Sequence, residues 1–264
     1  MDASLLPSLG RGDSGIEVVS DGAVRIVRLN RPEQANAVNN DMHWAFARLW
    51  SDLAEDPDAR AVVLTGAGKT FSAGGDLVAW LEHYVDNPVT RRAGMRDARR
   101  IVREMIDFPL PIIAAVNGPA VGFGCSIAVL CDLVFMSDKS FFADTHVASG
   151  LVAGDGGSVM WPLLMSLLRA KEFLLLGERI SPQVALDVGL ANRVIPHDQL
   201  MNESLEVARK LAALPARAVQ DTKRALNLHI ERAISGILEY GISAETECFT
   251  TPEHRAAIDR FLEK

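Results

Sequence analysis

Two side chains able to move protons stand nine residues apart in a run of small and apolar residues: His146 and Asp155, in "ADTHVASGLVAGDGG" (143–157). Imidazole exchanges protons near neutral pH, and a carboxylate that accepts one of its N–H bonds fixes the tautomer and favours the charged ring. Such a pair suits general acid–base chemistry. Each residue also has a plainer reading. His146 beside a valine can be a core histidine, and Asp155 between two glycines can cap a helix that starts in "GSVMWPLL".

Two glycine-rich turns supply a second kind of chemistry. In "VVLTGAGKTFSAGGDL" (62–77), the small residues Ala73, Gly74 and Gly75 let backbone approach a ligand closely. In "IIAAVNGPAVGFGCSIAVLCD" (112–132), a strand passes through Asn117, Gly118 and Pro119 into a helix that begins near Phe123. The first turn of a helix leaves amide N–H groups unpaired, which suits an oxyanion. Two such turns together can aim two amides at one oxygen. Taken singly, each also reads as an ordinary tight turn.

Other motif-like strings carry no chemistry. "GDSG" at 12–15 lies in an N-terminal tail without strand context, "GKT" at 68–70 has Val63 where a phosphate loop needs glycine, and "GFG" at 122–124 lacks a third glycine. No paired-cysteine or H-E-x-x-H pattern is present, so no metal is expected. The net charge of −7 argues against nucleic acid as a partner. Three cysteines (Cys125, Cys131, Cys248) make no disulfide framework and fit the cytoplasm. The most apolar stretch, 109–136, is broken by prolines and glycines, so no membrane span is expected.

These residues need elements to hold them. Strands are expected at 23–29, 61–66, 111–118 and 132–137, with helices at 39–54, 95–106 and 123–131 between or after them. That alternation is the pattern of an α/β layer structure. The last third reads as helix at 181–188, 199–214, 216–249 and 252–264. The division is a flexible tail at 1–14, an α/β core at 15–197 and a helical region at 198–264. Apolar stripes in "SLEVARKLAAL" and "AISGILEYGI" suggest that this helical region meets other subunits. Arg91, Arg92, Arg96, Arg99, Arg100 and Arg103 either face solvent or meet the phosphates of a ligand.

The order of motifs is more specific than any one of them. "LNRPEQANAV" (29–38), A-G-x-D-L at 73–77, A-V-N-G-x-A-x-G-x-G at 115–124, G-L-x-x-G-x-G-G at 150–157 and "ALDVGLANRVIP" (185–196) together resemble the enoyl-CoA hydratase/isomerase, or crotonase, superfamily. The resemblance implies a spiral of ββα units with a helical C-terminal trimerisation region, assembled as a homotrimer or a hexamer of two trimers. It implies an enolate of an acyl-CoA thioester, held by the amides of Gly75 and Phe123. Gln34, Ala35, Ala37, Ala73, Gly74, Asp76 and Leu77 match positions along the CoA path, and no cofactor is implied beyond the CoA of the substrate.

The same resemblance exposes a departure. The two glutamates with which enoyl-CoA hydratases handle water fall on Ser126 and His146. A serine hydroxyl can hold a water but cannot replace a carboxylate base. Asp155 matches a position that bears a catalytic carboxylate in some relatives, and the His146/Asp155 pair resembles the β-diketone hydrolases of the superfamily. Glu245 matches an acid that some relatives place near the site from their C-terminal helices; it also reads as an exposed helical charge. Three functions stay open: an acyl-CoA lyase or isomerase with His146 as its proton carrier, a C–C bond hydrolase that needs no CoA, and a non-catalytic acyl-CoA binder.

Overall fold

The computed structural model describes residues 6–9 and 14–263. Among these, strands β1 (Ile16–Asp21), β2 (Val24–Leu29), β3 (Ala61–Gly66), β4 (Ile112–Val116), β6 (Leu133–Ser137) and β8 (Arg193–Ile195) form one sheet in the order β1-β2-β3-β4-β6-β8. Only β1 and β2 pair antiparallel; the other neighbours are parallel. Strands β5 (Ala120–Val121) and β7 (Phe142–Ala143) make a short parallel pair beside it. β3 and β4 are buried along their whole length, because parallel strands are covered on both faces. That is why "AVVLTG" and "IIAAV" read as continuous apolar runs.

Helices α1 (Asn40–Ala54) and α4 (Phe123–Val129) pack against the sheet, α3 (Pro88–Asp107) packs on α1, and the short α2 (Leu77–Trp80) precedes α3. Asn39 starts α1 by accepting the Met42 amide, and Asn87 with Pro88 starts α3. A single π turn, Leu81–Val85, joins α2 toward α3. Next come α5 (Gly157–Leu164), α6 (Leu167–Leu176) and α7 (Pro182–Val188), then α8 (Leu200–Ala213), α9 (Ala216–Ile234), α10 (Ile237–Cys248) and α11 (Pro252–Leu262). No described helix is long and apolar enough to cross a membrane.

One expected helix needs correction, and the described residues bear on two other expectations. The helix expected over 216–249 is two helices, because Gly236 adopts φ +84° and turns the chain between α9 and α10. The stripe in "SLEVARKLAAL" does not face outward: Leu200, Ser204 and Ala208 of α8 are buried against the second face of the sheet, with Leu205 and Leu211 packed beside them. Most of the segment expected as a flexible tail, 1–5 and 10–13, including Gly12 and Asp13 of "GDSG", lies outside the described residues. Within that segment Leu6 and Ser8 are buried, and Asp52 of α1 accepts the Ser8 amide at 2.7 Å.

Candidate active site

The two glycine-rich turns meet. Asn117, just after β4, clamps them: its Oδ1 accepts the Gly66 amide at 3.1 Å and its Nδ2 donates to the Gly68 carbonyl at 3.0 Å. The Val121 amide donates to the Ser72 carbonyl at 2.9 Å. Gly74, at φ +91°, lies so close to the second turn that a Cβ there would stand 2.6 Å from the Val121 oxygen. A Cβ on Gly75 would stand 2.4 Å from the Trp80 ring. Among the described residues neither the Gly75 nor the Phe123 amide has a protein acceptor, and Phe123 opens α4, where the helix itself supplies none. Both amides are therefore available to a ligand oxygen beside this contact.

A cleft of about 920 Å³ leads to Gly75. One wall is Gln34, Ala35 and Ala37 with Ala73, Asp76 and Leu77; Ala257, Arg260 and Phe261 of α11 face them. Gly74 is not on this wall, because it is turned toward Val121. Asp76 caps α2 through the Ala79 amide at 3.2 Å and pairs with Arg31 at 3.1 Å, so its carboxylate is committed within the protein. Ala35 and Asn36 both take positive φ (50° and 54°), and the Asn36 side chain holds that bend by bonding the Arg31 amide and the Ala67 and Thr70 carbonyls. None of the six arginines of the 91–103 segment lines this cleft. Arg99 and Arg103 pair with Glu239, and Arg100 with Glu104.

Beyond the amides, His146, Asp155, Ser126 and Glu245 come together as the sequence reading requires, with a carboxylate it did not anticipate. Ser126 donates to Asp155 Oδ1 at 2.7 Å, Asp155 Oδ2 faces His146 Nε2 at 3.2 Å, and Asp144 Oδ1 faces His146 Nδ1 at 2.7 Å. All are buried. Glu245 reaches in from α10, and its carboxylate, Asp155 and the His146 ring place ligand-type atoms within 4.8 Å of one another. Asp155 caps no helix: Gly156 is the N-cap residue of α5 and no side chain serves there.

The charges follow from these distances. Burial opposes a charge on His146, but Asp155 and Asp144 on either side overcome it and hold the imidazolium well above the ordinary histidine range. Burial likewise opposes ionisation of Asp155, yet His146 and the Ser126 hydroxyl keep its carboxyl below the usual range. Glu245 has burial and the nearby Asp155 charge against it, so its carboxyl is pushed well above the usual range. These shifts favour the charged ring of His146, the ionised form of Asp155 and the protonated form of Glu245. Both ring nitrogens of His146 meet carboxylates; Asp155 and Glu245 of this cluster line a small inner cavity, together with His43, Trp80, Tyr84 and Phe123.

A sequence model described as Enoyl-CoA hydratase/isomerase matches residues 20–264. The chain belongs to the enoyl-CoA hydratase/isomerase family. It is 33% identical to a short-chain-enoyl-CoA hydratase of Clostridium acetobutylicum, over 92% of this chain and 93% of that one. An enoyl-CoA hydratase/isomerase of Mycobacterium paratuberculosis, known by crystal structure, superposes with a TM-score of 0.90 at 48% identity, covering 94% of this chain and 98% of that chain. A β-diketone hydrolase of the cyanobacterium Anabaena, solved with (S)-3-oxocyclohexyl acetic acid bound, superposes with a TM-score of 0.84 at 26% identity, covering 92% and 97%. These likenesses establish the crotonase fold.

Sequence reasoning missed three residues at this crotonase site. Asp144 stands two before His146, and the D-x-H spacing was its signal. His43 occupies the buried face of α1 among Met42, Phe46, Ala47 and Trp50, where an imidazole interrupts an apolar stripe. Trp80 ends α2, and the glycine at Gly75 that makes room for its ring was the visible trace.

Proposed function

We propose that this chain is an acyl-CoA-processing enzyme that holds a thioester carbonyl at the Gly75 and Phe123 amides and forms its enolate there. The family membership supports this, as do the two amides without protein acceptors and the cleft along Gln34, Ala35, Ala37, Ala73, Asp76 and Leu77 that would carry CoA. The His146–Asp155 pair is the proton-transferring unit, and Asp155, buried, is the end of it that lines the inner cavity. Glu245, kept neutral, is the acid that returns a proton to the acyl chain. His146, charged by Asp144 and Asp155, positions Asp155 and sets its charge, and Ser126 fixes the other carboxylate oxygen. The Ser126–Asp155–His146–Asp144 chain carries the reading, because Ser126 and His146 fall on the positions that the family resemblance assigns to the two glutamates of hydratases.

The expected reaction is proton transfer, as in an isomerase or lyase, with straight-chain enoyl-CoA hydration slow. The chemistry needs no cofactor beyond the CoA of the substrate. Acyl-CoA esters incubated with the enzyme and read by mass spectrometry test it, because hydration adds a water, isomerisation leaves the mass unchanged and cleavage splits it. Hydration of crotonyl-CoA at full hydratase rates would refute the proposed division of roles.

A second reading is favoured by the His146–Asp155 contact itself: a C–C bond hydrolase without CoA, for which the likeness to the Anabaena β-diketone hydrolase is the support. Turnover of a free cyclic diketone and of no CoA ester would select it. For the assembly we propose a homotrimer, or two stacked trimers, working in the cytoplasm.

A further inference from the structure

The wall of the cleft that faces Gln34, Ala35 and Ala37 is a helix with few anchors. α11 supplies Ala257, Arg260 and Phe261 to that wall, yet among its 11 described residues only His254 and Ile258 are buried. A helix this short is marginal in water by itself, so α11 keeps its place chiefly through what those two side chains touch. His254, 1% exposed, does more than fill space. Its Nδ1 stands 2.7 Å from the Ser149 carbonyl oxygen, and because a carbonyl only accepts, Nδ1 is the donor.

Ser149 belongs to the turn that follows His146. The His146 carbonyl accepts the Ser149 and Leu151 amides at 3.0 and 2.8 Å, and Ala148 and Ser149 line the cleft beside Thr145. Gly150, at φ +72°, lets the two backbones touch: a Cβ there would stand 2.9 Å from the His254 Cα. On its other side the His254 ring meets Phe249 edge-on at 5.1 Å, and Phe249 packs on Tyr84 at 5.7 Å and on Trp80 at 6.4 Å. One buried imidazole thus joins the cleft wall on α11 to the turn that begins at His146 and to the rings beside Gly75.

We propose that His254 is a positioning residue: its bond to the Ser149 carbonyl latches α11 over the cleft, and a chain without that latch grips CoA and its esters less tightly. The proposal rests on the cleft being the CoA path. A side chain that only fills the place of His254 leaves the Ser149 carbonyl unpaired, which costs more than the packing it restores. Affinity falls with the fraction of chains in the binding-competent state, so a wall that opens weakens every ligand that touches it. The Arg255–Asp86 pair on the same helix, 48% and 59% exposed, is no substitute, since pairs in solvent contribute little.

Hydrogen exchange and titration calorimetry on the full chain test this, with CoA and butyryl-CoA as ligands. In His254→Leu the amides of α11 and of 147–151 should exchange about tenfold faster, a size set by the lost hydrogen bond. Both ligands should bind at least about fivefold more weakly, as the closed fraction falls. His254→Asn, whose side-chain N–H can stand where Nδ1 does, should restore both readouts to within about threefold. Arg255→Ala should leave both within about twofold. If His254→Leu does not fold, Gly150→Ala, which forces the two backbones apart, carries the test. A lower melting temperature with exchange or affinity unchanged overturns the proposal and makes His254 a packing residue, and so does an equal loss of affinity in Arg255→Ala. Wild type that binds neither ligand overturns the acyl-CoA reading, and the exchange of α11 and 147–151 then decides the latch by itself.

Discussion

Asp144 holds His146 from behind: their Oδ1 and Nδ1 atoms are 2.7 Å apart, leaving the far side of the ring to Asp155 at 3.2 Å. Three groups that share protons this closely act as a unit. His146→Ala and Asp155→Asn should each lower kcat/KM by about two to four orders of magnitude, and the double variant should be scarcely worse than the poorer single one. Additive losses in steady-state kinetics would show that the residues work separately. Asp144→Asn should cost less activity but move the His146 titration, followed by NMR, to lower pH, because one of the two charges that hold the imidazolium is gone.

The same cluster fixes signs for stability. The folded pKa of His146 is raised, so its contribution is fully present below the unfolded value near 6.5 and is lost as pH rises through the folded value. Asp155 is depressed, so its contribution is present above the unfolded value near 3.8 and is lost as pH falls through the folded one. Glu245 runs the other way for a carboxyl: the unfolded chain ionises it near 4.5 while the folded chain keeps its proton, so it costs stability above that pH. Glu245→Gln should therefore raise the melting temperature more at pH 8 than at pH 5. It should also slow turnover by about two orders of magnitude if its proton is used. An equal shift at both pH values would mean that Glu245 is ionised in the folded protein.

How much of this was legible depended on what each segment packs against. β3 and β4 showed themselves because both of their faces are covered, which leaves unbroken apolar runs. β1 did not, since it is an edge strand with Glu17, Ser20 and Asp21 among its residues, and β8 is only three residues long. α6, "LLRAKEFLLL", hid because it buries only Ala170 and so has no one-sided stripe. In the site, the glycine turns announced themselves by composition, and His146 and Asp155 by isolation. Glu245 came only through resemblance, because nothing in "GISAETE" distinguishes a buried acid from an exposed one. Asp144 left a local trace, two residues before the His146 it holds, whereas what His43 touches is decided by tertiary packing.

His43 gives a separate pH signature. A histidine held neutral with a pKa of about 4 must take up a proton on unfolding below 6.5. Between pH 7 and 4 it should therefore cost the fold on the order of 3 kcal/mol, a figure set by the size of that shift. Urea unfolding of wild type and His43→Leu at both pH values isolates it. The variant should lose less stability on acidification than wild type, and parallel losses would place a charged histidine in the folded protein.

Gly75 tests the oxyanion assignment through sterics rather than chemistry. Its amide is aimed by the turn from Ala73 to Asp76, and the Trp80 ring closes the space where a side chain would go, 2.4 Å from an added Cβ. Gly75→Ala should push either the ring or the amide out of place and reduce kcat by about two orders of magnitude, within the range for loss of an oxyanion donor. Gly75→Ala combined with Trp80→Phe should recover part of that loss if crowding is the cause. A single variant that folds and keeps full turnover would mean that the thioester oxygen is bound elsewhere.

Of the two apolar stripes expected to meet other subunits, one is internal and the other is partly exposed, at Ile237 and Tyr240 of α10. The stripe of α8 that was expected to meet another subunit is spent on the second face of the chain's own sheet. Further apolar surface lies at Leu163 on α5, Leu167, Leu168, Leu175 and Leu176 on α6, and Leu226 on α9, all exposed, Leu168 by 81%. Several leucines exposed on the adjacent helices α5 and α6 are unusual for a monomer and usual for a subunit interface. Light scattering at micromolar concentration should give a mass three or six times that of the 28.6 kDa chain. Leu168→Glu with Leu175→Glu should release monomers, because two carboxylates would then have to be buried without partners. Charge reversal confined to the α8 surface should leave the oligomer intact, and a wild-type chain that sedimented as a monomer would sink the trimer.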